Sequence, residues 1–302
     1  MSRYNAKLFL LCFLTVISVC IPVVAMQEDG AEESSNEVVK KVPTTNRTEL
    51  EIIAPIDEKI QKEHDLKHYL SSESVQPLLA GPDEHITLIN TNSAENNKGV
   101  MILLPDWQQQ ATSPKAFNYL REALPKKGWT VISILPPNKP ESYPSIALGN
   151  SAQLEDNQKT LAEYQQKLAT ILTAVTEKAK NYPGIIVVIA EGHHAALLPS
   201  IYQQNLVEQP MALISLSGHL NDEANSMLSA QHLSEIDLPV LDLYLKTDSR
   251  LIKNNVKLRK KMVNQALKSN FRQRELFNIQ TGYYPKTGLV KEIIGWLKSI
   301  GW

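Results

Sequence analysis

The chain has 302 residues, a formal net charge of -1, 43% hydrophobic and 21% charged residues. That composition excludes a disordered or fibrous chain and leaves room for a sizeable core in one large domain or two small ones. The near-neutral balance supplies no electrostatic footprint for nucleic acid.

The first element is an address. Arg3 and Lys7 precede an almost wholly apolar run, Leu8 to Val24, and Val23-Val24-Ala25 offers small residues at a cleavage position. The pattern predicts a secretory signal over residues 1–25, cut after Ala25. Two alternatives stay open: an uncleaved membrane anchor, and a lipid anchor on Cys20. Both cysteines, Cys12 and Cys20, lie in this segment. A cleaved chain would therefore have no disulfide, no thiol nucleophile and no zinc-thiolate site. Residues 26–50 are polar and read as a flexible leader. Asn46-Arg47-Thr48 fits a glycosylation sequon and carries little weight.

Residues 51–302 read as a single domain. Ala54 to Leu70 has helical spacing of Ile56, Ile60, Leu66 and Leu70, supported by the i,i+4 pairs Lys59/Glu63 and Glu63/Lys67. His64 and His68 are also i,i+4, but no acidic third ligand stands at a fixed spacing, so a solvated face is preferred. Glu84 to Asn90 and Gly99 to Leu104 read as two strands joined by a turn cluster, an antiparallel hairpin leading into the main sheet. Pro105-Asp106-Trp107 closes it. A helix over Pro114 to Leu124, a strand over Thr130 to Leu135 and a Pro-rich loop to Gly149 follow. Leu154 to Lys180 is the longest helical pattern.

Pro183 to Ala196 (PGIIVVIAEGHHAA) is the centre of the chain. Ile185 to Ile189 is a continuous apolar run, the mark of a parallel strand covered on both faces. A tight corner follows, then residues that begin a helix. Strand, sharp turn and helix form the nucleophile elbow G-x-S-x-G, here Ala190, Glu191, Gly192, His193 and His194. Gly192 stands in the nucleophile's slot. Strands at Met211 to Leu216, Pro239 to Leu245 and Arg274 to Ile279 alternate with helices at Asp222 to His232, Val256 to Leu267 and Leu289 to Ile300. The charges of Val256 to Leu267 read as a solvated face. Repeated βα units predict a mostly parallel sheet flanked by helices. No internal repeat is visible.

This order resembles the α/β-hydrolase fold from about Glu84 onward. More narrowly, GVMILLPDW (Gly99–Trp107), the helix after it, GWTVISILP (Gly128–Pro136) and the closing Gly295-Trp296-Leu297 resemble a bacterial α/β-hydrolase-like family of unknown function. The resemblance implies a Gram-negative envelope protein and, with this signal, the periplasm. It also puts Asp106 and Trp107 at the oxyanion-loop position.

Acyl transfer on such a scaffold needs a nucleophile, an acid and a histidine after successive strands. Asp248 fills the acid slot, unless it is a helix N-cap. The final slot fails: His232 is the last histidine, and Gln280 to Pro285 carries no imidazole. A relocated site would use Ser217 with His193 or His194 and Asp248. A metal would draw on Glu191, His193, His194, His219 and Asp248, although adjacent histidines in a turn point apart. The preferred expectation is an exported, periplasmic pseudo-hydrolase with a binding or envelope role, no cofactor and no metal. Its partner would be an unknown small molecule or envelope protein, with membrane contact only through an uncleaved signal or lipid anchor. The alternative is a hydrolase of esters or envelope components working through Ser217 or a metal. An envelope-complex subunit is a third class.

Overall fold

A computed structural model describes residues 55–71 and 74–302. The expected signal, leader and sequon lie outside them. The elements run α1 (Glu58–Tyr69), β1 (Val75–Ala80), β2 (Asp83–Asn90), β3 (Gly99–Leu104), α2 (Phe117–Ala123), β4 (Trp129–Ile134), α3 (Asn150–Ala179), β5 (Ile185–Glu191), α4 (Gly192–Gln203), β6 (Ala212–Leu216), α5 (Glu223–Glu235), β7 (Val240–Leu245), α6 (Arg250–Gln265), β8 (Phe271–Leu276) and α7 (Lys286–Ser299).

One eight-stranded sheet takes the order β1-β2-β4-β3-β5-β6-β7-β8. From β4 to β8 every pairing is parallel, and the inner strands β3 to β7, covered on both faces, are the apolar runs of the sequence, whereas the edge strand β8 (FRQREL) is charged and only partly buried. β3 and β4 are buried at every position, and each fully buried aliphatic side chain contributes about 1.5–3 kcal/mol. The antiparallel hairpin is present, with a different membership from the expected one. β2 pairs with β1 on one side and with β4 on the other, and never with β3. The connection 91–98 crosses to the far side of β4.

The helices cover both faces. α3, α4, α5 and α6 meet the sheet through Leu168, Leu172, Leu198, Ile201, Leu233 and Val263. α2 and α7 pack on the opposite face through Phe117, Leu120, Ile293, Trp296 and Leu297. α6 begins six residues before the predicted Val256, at Arg250, capped by the Ser249 hydroxyl accepting the Ile252 N–H. Its charges are not all solvated. Arg259 is buried and forms a bidentate pair with buried Asp242, Nε and Nη2 each donating at 3.0 Å. Among the described residues, no helix is long and apolar enough to cross a membrane.

Candidate functional site

Parallel strands deliver their following turns to one sheet edge, which is where α/β folds place ligands. Here that edge gathers Asp106 after β3, the Glu191–His194 corner after β5, Ser217 to His219 after β6 and Asp248 after β7. α4 starts directly on β5, and Gly192 takes φ +58. Glycine adopts that conformation without steric cost.

The corner is filled from outside. A Cβ built on Gly192 would meet Asp106 Oδ2 at 2.4 Å and Cγ at 2.5 Å. The Asp106 carboxylate therefore lies where an elbow nucleophile would project. Its Oδ1 accepts the backbone N–H of Trp107 at 2.9 Å and of His193 at 3.1 Å. On this fold, the N–H after the nucleophile and an N–H from the loop after this strand build the oxyanion hole. One side chain thus occupies both the nucleophile's space and the oxyanion donors. Burial works to raise the Asp106 carboxyl, but the His193 hydrogen bond and the nearby imidazoles outweigh it and hold it below its ordinary value.

The two adjacent histidines serve different ends. His193 Nδ1 donates to Asp106, lying 3.1 Å from Oδ1 and 3.2 Å from Oδ2. Its ring stacks on Trp107 with centres 3.9 Å apart, and its Nε2 is buried without a partner. His194 is fully buried and spent on structure. Its Nδ1–H donates to the Pro105 carbonyl at 2.5 Å, and its Nε2 accepts from the Tyr164 hydroxyl at 2.7 Å. Burial pushes it down to about 4, so it stays neutral.

Ser217 sits at φ +48 and is 6% exposed. Its hydroxyl donates to Asp248 Oδ2 at 2.6 Å and accepts from the Tyr284 hydroxyl. Asp248 Oδ2 also accepts the Leu245 N–H at 2.7 Å. The structure thus brings Ser217 and Asp248 together but leaves the histidines out. His193 is turned to Asp106, His194 to Pro105 and Tyr164, and His219 Nδ1 to the Ser217 carbonyl at 2.9 Å, not to its hydroxyl. Ser217 thus has a carboxylate and a phenol as its hydroxyl partners and no imidazole on it. Tyr284 stands in the stretch where this fold carries its histidine. Burial, with the Glu191 and Asp248 charges, drives that phenol well above its usual value.

The five-residue metal set does not assemble: both ring nitrogens of His194 are engaged by Pro105 and Tyr164, and Asp248 Oδ2 holds Ser217 and the Leu245 N–H. Among the described residues, no group of three or more His, Cys, Asp and Glu could hold a metal ion. Glu191 is buried behind the corner, and burial raises its carboxyl to about 7 against the pull of Lys115. The Gln109 amide satisfies its neighbours with its nitrogen on Glu191 Oε2 at 3.0 Å and its oxygen accepting from Lys115 Nζ at 3.2 Å. Arg259 and Tyr164, like Gln109 and Lys115, were not foreseen from sequence. Arg259 Nη1 donates to the Gly218 carbonyl and so steadies the turn after β6. Tyr164 lies on α3, where its spacing marks it only as core. Surface cavities of about 230 to 720 Å³ among the described residues include five that are lined by residues other than Asp106, Gly192, His193, Ser217 and Asp248.

Sheet order, helix layers and elbow define an α/β-hydrolase fold, and solved structures agree. Est1E from Butyrivibrio proteoclasticus matches at 11% identity and TM-score 0.53, over 76% of this chain and 100% of that one. A dienelactone hydrolase from Anabaena variabilis matches at 11% and 0.52, over 75% and 98%. An acylaminoacyl peptidase from Pyrococcus horikoshii matches at 12% and 0.50, over 74% of this chain and 41% of the peptidase. At these identities the likeness concerns the fold alone. Residues 9–299 match the family described as "Protein of unknown function (DUF3530)", and the chain belongs to it. No curated protein matches the sequence.

Proposed function

We propose that this chain is a non-catalytic α/β-hydrolase-fold protein that works by binding, exported to a Gram-negative periplasm. The observation that carries the reading is the Asp106 carboxylate, lodged against Gly192 and accepting the Trp107 and His193 N–H groups. A substrate carbonyl would find neither a hydroxyl or thiol to attack it nor free oxyanion donors there. Ser217 offers no substitute, because its hydroxyl is engaged by Asp248 and Tyr284 with no imidazole on it. Export rests on the residues before Ala25, whose charge and apolar pattern fit a cleaved signal. The binding role follows from a preserved scaffold whose acyl-transfer parts are tied up, since function on this fold lives in the site.

The test is a broad panel of chromogenic esters and amides with the purified chain, beside its Ser217→Ala variant. Turnover at the buffer rate for both supports the reading. Turnover that Ser217→Ala abolishes overturns it. Export is checked by fractionation with N-terminal sequencing: a periplasmic chain starting at Met26 is expected, and a cytoplasmic chain retaining Met1 refutes export.

A further inference from the structure

His193 and His219 are prepared in the same way, although they come from different strand ends. Each ring has its Nδ1 tied back: His193 to the Asp106 carboxylate at 3.1 Å, and His219 to the Ser217 carbonyl at 2.9 Å. Each therefore keeps Nε2 as its one free donor atom. Metal-binding histidines show this arrangement, with the second nitrogen donating to a carboxylate or backbone carbonyl that fixes tautomer and ring direction. The rings lie side by side with centres 4.5 Å apart, tilted by 52°. Two imidazoles on one tetrahedral zinc have centres about 5 Å apart, given Zn–N bonds of about 2.0–2.1 Å. The Trp107 indole, stacked on His193 at 3.9 Å, limits how that ring can turn.

The independent sign is His193 Nε2 itself. It is a buried polar atom with no hydrogen-bond partner, on a residue only 7% exposed. Such an atom costs free energy unless a water or an ion meets it. His219 is partly exposed, which supplies a path from solvent. The buried Asp106 charge behind His193 compensates a cation that arrives there.

We propose that His193 Nε2 and His219 Nε2 bind one divalent transition-metal ion of the zinc, cobalt or copper type, with water or a bound ligand completing its shell. Imidazole donors suit these ions, whereas magnesium and calcium prefer oxygen. The inference concerns binding and stands independently of whether the protein turns over a substrate.

The test uses the full chain carrying His64→Gln and His68→Gln, which removes the i,i+4 pair on α1 as a competing surface site. Zinc chloride is titrated calorimetrically, and cobalt chloride by its visible absorption. One ion per chain is expected. His219→Gln and His193→Gln each lower the affinity at least tenfold, and Asp106→Asn lowers it about 10- to 100-fold through the lost outer contact. His232→Gln changes nothing. Circular dichroism checks each variant, and the partly exposed His219 guards against a misfolded His193→Gln. No saturable uptake by the parent, or uptake unchanged in both His193→Gln and His219→Gln, overturns the site. Running the ester panel on zinc-loaded protein separates the two readings: turnover lost in His219→Gln would keep the metal site and discard the non-catalytic role.

Discussion

Asp106 Oδ2 stands 2.4 Å from where a Cβ on Gly192 would lie, closer than any real Cβ contact. The carboxylate cannot drift aside freely, because Trp107 N–H, His193 N–H and His193 Nδ1 all hold it. Gly192→Ser should therefore destabilise the protein rather than restore an elbow. The backbone at φ +58 alone costs about 1–3 kcal/mol for a residue with a side chain. The displaced carboxylate adds to that. Adding Asp106→Ala removes the clash, so the double variant should be more stable than the sum of the two single effects, by about 0.5–3 kcal/mol. Urea unfolding of all four chains measures this coupling. Strict additivity would show that the two residues do not compete for one space.

Ser217 is a non-glycine residue in the left-handed region, at φ +48, with its hydroxyl held by Asp248 and Tyr284. Ser217→Ala removes the donor to Asp248 and the acceptor for Tyr284, at a cost of about 1–3 kcal/mol for buried groups left without a partner. Ser217→Gly loses the same contacts but accepts φ +48 without strain. The glycine variant should thus have the higher urea midpoint. If alanine proved the more stable, backbone strain at this turn would carry no weight.

Much of the scaffold was legible because burial on both sheet faces writes itself as unbroken apolar runs, as in Ile185 to Ile189 and Met211 to Leu216. β1 was not, since Gln76 and Pro77 interrupt any periodicity and only Leu78 and Ala80 of the strand are buried. Without a visible β1, the sequence offers β3 as the natural hairpin partner of β2. The charged start of α6 carried no apolar rhythm, so the helix looked shorter than it is. At the site, the vacant elbow and the missing final histidine could be read by position along the chain. What fills the vacancy could not. Asp106 and Gly192 are separated by 85 residues of chain, 107–191, and only folding brings β3 beside β5. Arg259 looked solvated for the same reason, because its partner Asp242 sits on a strand and its exposure depends on packing.

That buried pair gives a third expectation. Arg259 closes on Asp242 through two hydrogen bonds of 3.0 Å and on the Gly218 carbonyl through a third. Arg259→Met leaves an uncompensated carboxylate at 0% exposure, and the penalty for such a stranded charge is about 3–5 kcal/mol. Combining it with Asp242→Leu removes the charge as well, so the double variant should recover part of the loss. Thermal unfolding measures both. A single variant as stable as the parent would mean that the pair contributes nothing and that Asp242 finds another partner, with Gln273 Nε2, 2.8 Å from its Oδ2, as the nearest.

The phenols set the alkaline limit of the fold. Burial raises Tyr202, and burial with the Asp222 charge raises Tyr143, both from an ordinary value of 10.0. Tyr164 and Tyr284 are raised well above that value, again with burial as the leading cause. A phenol raised on folding keeps its proton when the unfolded chain has already lost its own. Stability from these groups is therefore fully present below pH 10 and falls as pH climbs above it, because the unfolded state then binds fewer protons. Urea midpoints taken at rising pH should decline steeply from that point. Tyr202→Phe and Tyr143→Phe should each make the decline shallower, since neither can ionise on unfolding. Tyrosinate absorbance of the folded chain gives an independent check: these rings should ionise only together with loss of structure. Full ionisation near pH 10 in a chain that remains folded would contradict the burial assigned to them.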